Sequence, residues 1–172
     1  MSSDSNVSTI NQPPISISIA EEKDLENLII YLSQKEVDNA FVKPLSERPI
    51  SIRDRVFRDF KEGFWLIGKD EEENVIASLA IIYHDYTAEC STFSISPLLR
   101  GRHIGTKILI EAEMILQSMF PEIHMIVIDS WEGNTPVKKL VEKLDYKEIN
   151  RYVDTRKRPQ GVKTITYGKD IK

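Results

Sequence analysis

With 172 residues the chain is sized for one domain that buries a core of its own. Hydrophobic and charged fractions of 41% and 29% are ordinary for a globular protein, and a net charge of −4 argues against a general nucleic-acid binder. The single cysteine, Cys90, excludes an internal disulfide and a Cys-rich metal site, and it fits a reducing compartment.

In chain order, the opening MSSDSNVSTINQPP is polar and lacks the basic-then-apolar pattern of a signal peptide. Residues 1–14 are expected as a flexible tail and 15–172 as a single domain. No stretch is long and apolar enough to span a bilayer, so no membrane partner is expected and the expected location is the cytoplasm. ISISIA (15–20) alternates as a half-buried strand does. EEKDLENLIIYLSQKE (21–36) places Leu25, Leu28, Ile29 and Leu32 on one helical face. VDNAFVKPLSERPI is irregular. Ser51 and Asp54 have capping-box spacing before a short helix carrying Val56, Phe57 and Phe60. GFWLIG (63–68) and VIASLAIIY (75–83) read as a hairpin around the acidic turn KDEEEN, and AECSTFSIS (88–96) is a third strand that ends at Pro97.

Ile104, Ile108, Ala112, Ile115 and Met119 then form a stripe along a helix of roughly four turns. IHMIVID (123–129) is a short buried strand. Asn134 is placed to cap another helix, with Val137, Leu140, Val141 and Leu144 inward. YKEINRYV and VKTITYG close the chain as two strands around a Lys/Arg/Pro/Gly loop. The short turns make the middle strands antiparallel, whereas the connection from 88 to 129 needs a crossover and a parallel pair. The expected fold class is α/β, a mixed, mostly antiparallel central sheet flanked by helices.

LLRGRHIGTKILIEAE (98–113) suggests chemistry. Two of the chain's 7 glycines, Gly101 and Gly105, sit in a basic turn that runs into a helix. A helix N-terminus carries unpaired N–H groups and partial positive charge, and it suits phosphate or pyrophosphate. Arg100, Arg102 and Lys107 add charge. GRHIGTK is neither a P-loop nor a dinucleotide fingerprint. Without further context it is equally a solvent-exposed loop–helix junction.

Here the chain resembles the GNAT N-acetyltransferases. Their diphosphate loop reads Arg/Gln-x-x-Gly-x-Gly/Ala; RGRHIG supplies Arg100 and Gly105, with His103 at the inner glycine. NTPVKKLVEKLDY resembles the family's Asn-x-x-Ala-x-x-Leu-Tyr-x-x-x-Gly-Phe. Asn134, Leu140 and Tyr146 match, while Val137, Val141 and Asp145 depart from it. The resemblance covers about residues 15–170 and implies acetyl transfer from acetyl-CoA to an amine.

It further implies that Phe93, Ser94 and Ile95 hold the pantetheine arm through their backbone. Arg100, Gly101, Arg102, His103, Ile104, Gly105 and Thr106 would seat the diphosphate, His103 with its side chain turned away, and Asn134 would touch the cofactor. Glu89, six residues before Ile95, stands where some members carry a general base. Period-2 alternation places Glu89, Ser91, Phe93 and Ile95 on one face. The general acid is unassigned because Val141 replaces the family's tyrosine; Tyr146, Tyr152, Tyr167 and Cys90 are candidates by proximity only.

The acceptor is expected to be a small-molecule amine or a protein amine. Glu36, Asp38, Asn39 and Phe41 lie in the segment that usually shapes the acceptor pocket in this fold, and with Glu89 and Asp129 they favour a small cationic amine such as an amino acid or a polyamine. RKRPQG (156–161) reads as a solvated loop rather than an anion site, Trp65 as core, and Trp131 as packing or acceptor lining. His84, His103 and His124 lack metal-ligand spacing, so no metal is expected. Nothing excludes a homodimer. The rival reading is a non-catalytic CoA-binding or protein-interaction module.

Overall fold

The computed structural model describes residues 14–172, so the expected N-terminal tail falls outside the described residues except for Pro14. The strands are β1 (Ser16–Ile19), β2 (Gly63–Lys69), β3 (Val75–His84), β4 (Thr87–Ile95), β5 (Met125–Trp131), β6 (Lys147–Tyr152) and β7 (Thr164–Asp170). They form one seven-stranded sheet in the order β1-β2-β3-β4-β5-β7-β6. Every pairing is antiparallel except β4 with β5. That pair is joined by the crossover helix α4 (Ile104–Met119). The β2–β3 turn closes because the Asp70 carboxylate accepts from the N–H groups of Glu72 and Asn74.

The helix expected over 21–36 is divided. After a 3-10 turn at Glu22–Asp24 come α1 (Leu25–Ser33) and a one-turn α2 (Lys35–Asp38). Gln34 separates them with an extended ψ of 133°. α3 (Ile52–Glu62) starts as expected, with Ser51 Oγ accepting from the Asp54 N–H at 3.1 Å. α5 (Thr135–Lys143) precedes β6. Strand β5 starts two residues later than the hydrophobic run, because Ile123 packs in the core before the strand begins.

Two apolar layers cover the sheet. Phe64, Leu66, Leu79, Ile81 and Cys90 face α4 and α5. Trp65, Ile67 and Ala80 face α1 and α3. Covered on both faces, β3 is buried from Val75 to Ile82. Trp65 is fully buried, and its indole N–H donates to the Val56 carbonyl at 3.1 Å. On α4 the stripe holds at Ile104, Ile108 and Ala112 and broadens to Leu109 and Leu116. Met119, the last residue of the helix, is exposed.

Candidate active site

The site begins where the sheet parts. β4 pairs with β5 only from Thr87 to Cys90, opposite Met125 to Ile128. β4 then continues along β3 alone, and β5 along β7. Between the pairs Ala80–Ser91 and Ser78–Ser94, β4 carries one more residue than β3, which is a bulge. Thr92 in this bulge has φ 47°, a conformation that costs a β-branched residue on the order of 1–3 kcal/mol.

A buried hydroxyl chain holds the bulge. Ser78 Oγ donates to the Thr92 carbonyl at 3.0 Å. Its single proton is thereby committed, so Ser94 donates to Ser78 at 2.8 Å and Tyr31 donates to Ser94 at 3.0 Å. Burial pushes the Tyr31 phenol up to about 12, which keeps it a donor.

The extra residue also changes which way β4 side chains face. Glu89 and Ser91 stay opposite Ile82 and Ala80. Phe93 and Ile95 turn to the other face and pack on the α4 core. The single face expected for Glu89, Ser91, Phe93 and Ile95 is therefore split at the bulge.

A cavity of about 490 Å³ fills the opening. Phe93, Ser94 and Ile95 border it, and beyond Cys90 their strand edge has no strand partner toward β5. Of the residues assigned to the cofactor from sequence, all but Arg102 border this cavity. The first hydrogen bond of α4 runs from Lys107 N–H to the His103 carbonyl at 3.1 Å. The N–H groups of Ile104, Gly105 and Thr106 therefore have no acceptor within the helix.

The two glycines serve different ends. Gly101 has φ 78° and open space around it, so its role is conformational. A Cβ on Gly105 would lie 3.1 Å from Phe93 Cζ and Ile95 Cδ1. Gly105 thus lets α4 close onto the bulged strand while it borders the cavity. His103 has φ 60°, and Asp145, at the glycine position of the second motif, has φ 69°. Both family glycines are replaced at left-handed positions by residue types that tolerate them. His103 is exposed and borders the cavity.

A recess of about 50 Å³ adjoins the cavity, sharing Phe41, Phe93, Trp131, Asn134 and Val137. Its other walls include Arg48, Asp129, Lys157 and Arg158. The loop expected as solvated thus sends two side chains inward, and Arg158 is only 5% exposed. The Asp154 carbonyl accepts from the N–H groups of Lys157 and Arg158, which turns the loop. Lys43 Nζ donates to the Thr155 carbonyl at 2.8 Å and ties the loop to the segment after α2. Arg156 donates to the Asp154 carboxylate, holding it below the usual carboxylate range.

Glu89 borders neither space. Its Oε2 is 3.0 Å from His84 Nε2, and its Oε1 is 3.7 Å from Lys157 Nζ. Asp129 borders the recess and accepts from Tyr152 OH at 2.7 Å and Thr166 Oγ1 at 2.6 Å. Asp38 is bonded to Ser46, while Glu36 and Asn39 are exposed. Asn134 makes no side-chain cap; its Nδ2 donates to Ser130 Oγ at 2.9 Å, correcting the expected capping role. Val141 is wholly buried. Cys90 is also wholly buried, and burial pushes its thiol up, so no acyl-carrying role follows. Tyr146 OH donates to Glu113, away from the opening.

Tyr31, Ser78 and Arg48 were missed from sequence. Tyr31 and Ser78 carried no signal beyond helix and strand membership. Arg48 sat in a stretch with no periodicity. Among the described residues, no group of three or more His, Cys, Asp or Glu is arranged to hold a metal, and no helix is long and apolar enough to cross a membrane.

The model of the acetyltransferase (GNAT) family matches residues 30–146. No curated protein matches the sequence. Among solved structures, a putative phosphinothricin N-acetyltransferase is 22% identical, with 92% of this chain and 99% of that one covered at a TM-score of 0.72. A GNAT-family acetyltransferase from Streptococcus pneumoniae is 13% identical, covering 92% and 100% at a TM-score of 0.75. The ribosomal-protein-S18-alanine N-acetyltransferase from Escherichia coli is 17% identical, covering 92% and 94% at 0.69. These likenesses establish the fold, and the family match spans β2 to α5 with every residue that borders the larger cavity. The chain belongs to the acetyltransferase (GNAT) family and is an N-acetyltransferase.

Proposed function

We propose that the protein transfers an acetyl group from acetyl-CoA directly to an amine lying beside β4. The observation that carries this reading is the opening between β4 and β5. At one end it meets the unpaired N–H groups of α4, and at the other a recess with charged walls. The α4 N-terminus, with Arg100 and Lys107 nearby, holds the diphosphate. The free edge of β4 at Phe93, Ser94 and Ile95 holds the pantetheine arm.

The amine nitrogen attacks the thioester carbonyl carbon. The C–N bond forms, the C–S bond breaks, and the leaving sulfur takes a proton from solvent. N–H groups of the β4 edge meet the developing oxyanion. Glu89 takes the amine proton through water. Asp129 is less suited, since hydroxyl groups already donate to both of its oxygens. Glu89 retains 24% side-chain exposure, and His84 beside it is 59% exposed and leads to solvent.

Thiol release from acetyl-CoA across a panel of amines tests this. Turnover with at least one amine is expected. Acetyl-CoA binding without turnover on any amine overturns it and favours a non-catalytic module.

A further inference from the structure

Two guanidinium groups at the recess lack an acidic partner. Arg48 and Arg158 both border it, and neither forms an ion pair among the described residues. Each donates to a backbone carbonyl: Arg48 Nε to that of Lys43 and Arg158 Nη1 to that of Lys157, both at 3.1 Å. Arg158 is 95% buried by its 5% exposure, and its Nε has no acceptor. Asp129 and Asp154 act on its charge only from beyond ion-pair distance, and a buried cation without a close, hydrogen-bonded carboxylate is costly.

Each guanidinium is fixed by a ring. Arg158 Cζ lies 5.7 Å from the Trp131 centroid, and Arg48 Cζ lies 5.5 Å from that of Phe41. Stacking holds the face of the group and leaves its N–H edges for a planar anion. Burial, together with the charges of Arg55 and Arg158, pushes the Arg48 guanidinium down to about 9. Lys157 is the contrast on the same wall, because Glu89 and Asp129 already answer its charge.

The recess is small. Its volume of about 50 Å³ compares with the roughly 10–15 Å³ that a cavity needs to hold one water, so it admits a compact group such as a carboxylate. It adjoins the larger cavity at Phe93 and Trp131, and Ser91 and Thr92 of β4 border it, so an amine a few bonds from the bound group would lie beside β4.

We propose that Arg48 and Arg158 bind a carboxylate of the acceptor, so that the enzyme acetylates small amino-acid-like amines rather than polyamines. This rests on the acetyl-transfer reading above, and among the cationic amines expected from the sequence it selects amino acids over polyamines.

Matched pairs test it: alanine against ethylamine, leucine against 3-methylbutylamine, lysine against cadaverine, each with acetyl-CoA. For the best pair, kcat/KM should favour the amino acid by about ten- to a hundredfold, the worth of charge-assisted hydrogen bonds. Arg158→Gln and Arg48→Gln should each cut that ratio about tenfold, mainly through KM for the amino acid. Arg48 is only half-buried, so its variant serves if Arg158→Gln does not fold. Turnover with equal kcat/KM across every pair, or a preference for cadaverine, overturns the carboxylate clamp and leaves acetyl transfer standing. No turnover with any amine while acetyl-CoA still binds overturns the transfer reading instead. Calorimetry with N-acetylalanine, N-acetylleucine and N-acetyllysine then still reads the clamp: binding that weakens in Arg48→Gln supports it, and no binding to the unmodified protein overturns it.

Discussion

The two halves of the opening are built from different materials. The larger half, about 490 Å³, offers backbone: the free edge of β4 and the first N–H groups of α4, against an apolar wall. The smaller half, about 50 Å³, offers charged side chains held by loops: Arg48, Asp129, Lys157 and Arg158. Backbone donors depend on the path of the chain and survive most substitutions. Charged side chains are particular to this sequence. The first half therefore suits a co-substrate common to a family, and the second suits an acceptor that differs from member to member.

The sharpest way to break this comparison is to remove the proposed base, which lies beside Lys157 of the side-chain half. Glu89→Gln should lower kcat roughly 10²–10⁴-fold, the usual worth of a general base. Acetyl-CoA binding should barely change, since that half rests on backbone groups. The acidic limb of kcat against pH should weaken, and raising the pH should partly rescue the variant. A variant within about threefold of the unmodified enzyme across that range, short of a base effect, would shift the role to Asp129.

Beneath both halves lies the hydroxyl chain that fixes the bulge. The Tyr31 phenol, at about 12 when folded, sits above its unfolded value of roughly 10. The stability this contributes is whole below pH about 10 and is lost as the pH rises toward 12, by up to roughly 2–3 kcal/mol. Other buried tyrosines share the alkaline loss, so the difference between the unmodified protein and Tyr31→Phe isolates this share. Denaturant midpoints between pH 8 and about 11.5 should fall less steeply for Tyr31→Phe. Parallel curves would show that Tyr31 is not the titrating group.

In the backbone half, Gly105→Glu drives a side chain into the wall formed by Phe93, Ile95 and Leu140 and brings negative charge to the seat. Acetyl-CoA affinity should fall about tenfold or more, which is roughly 1.4 kcal/mol, by calorimetry. Unchanged affinity would place the diphosphate elsewhere. Asn134→Ala should have the smallest effect. It removes one hydrogen bond to Ser130, so stability should fall by about 1 kcal/mol or less. Because Asn134 borders both halves, the KM for acetyl-CoA should rise about threefold, within the worth of one hydrogen bond. Unaltered kinetics would reduce Asn134 to a structural residue.

Much of this site was legible one residue at a time. The Gly101–Gly105 turn before an apolar helix marked the start of α4, and of the residues assigned to the cofactor all but Arg102 border the cavity. The acceptor half was legible only as isolated charges. Asp38, read as a wall of the acceptor site, is bonded to Ser46, while Arg158, read as solvated, is buried over Trp131. Charge in a sequence does not say which side chains find partners, and that decides which remain for a ligand.

The sequence by itself determined the seven strands, the helices α3, α4 and α5, their order and the parallel pair, because period 2, period 3.6 and connection length are local quantities. It also determined the helix start that can seat an anion, since unpaired N–H groups follow from any helix beginning. Only the tertiary structure decided where β4 leaves β5. That point depends on Thr92 adopting φ 47° under a hydroxyl chain from Ser78, Ser94 and Tyr31, residues drawn from three separate elements. One inserted residue reverses the facing of everything after it, and no alternation pattern records where the insertion falls.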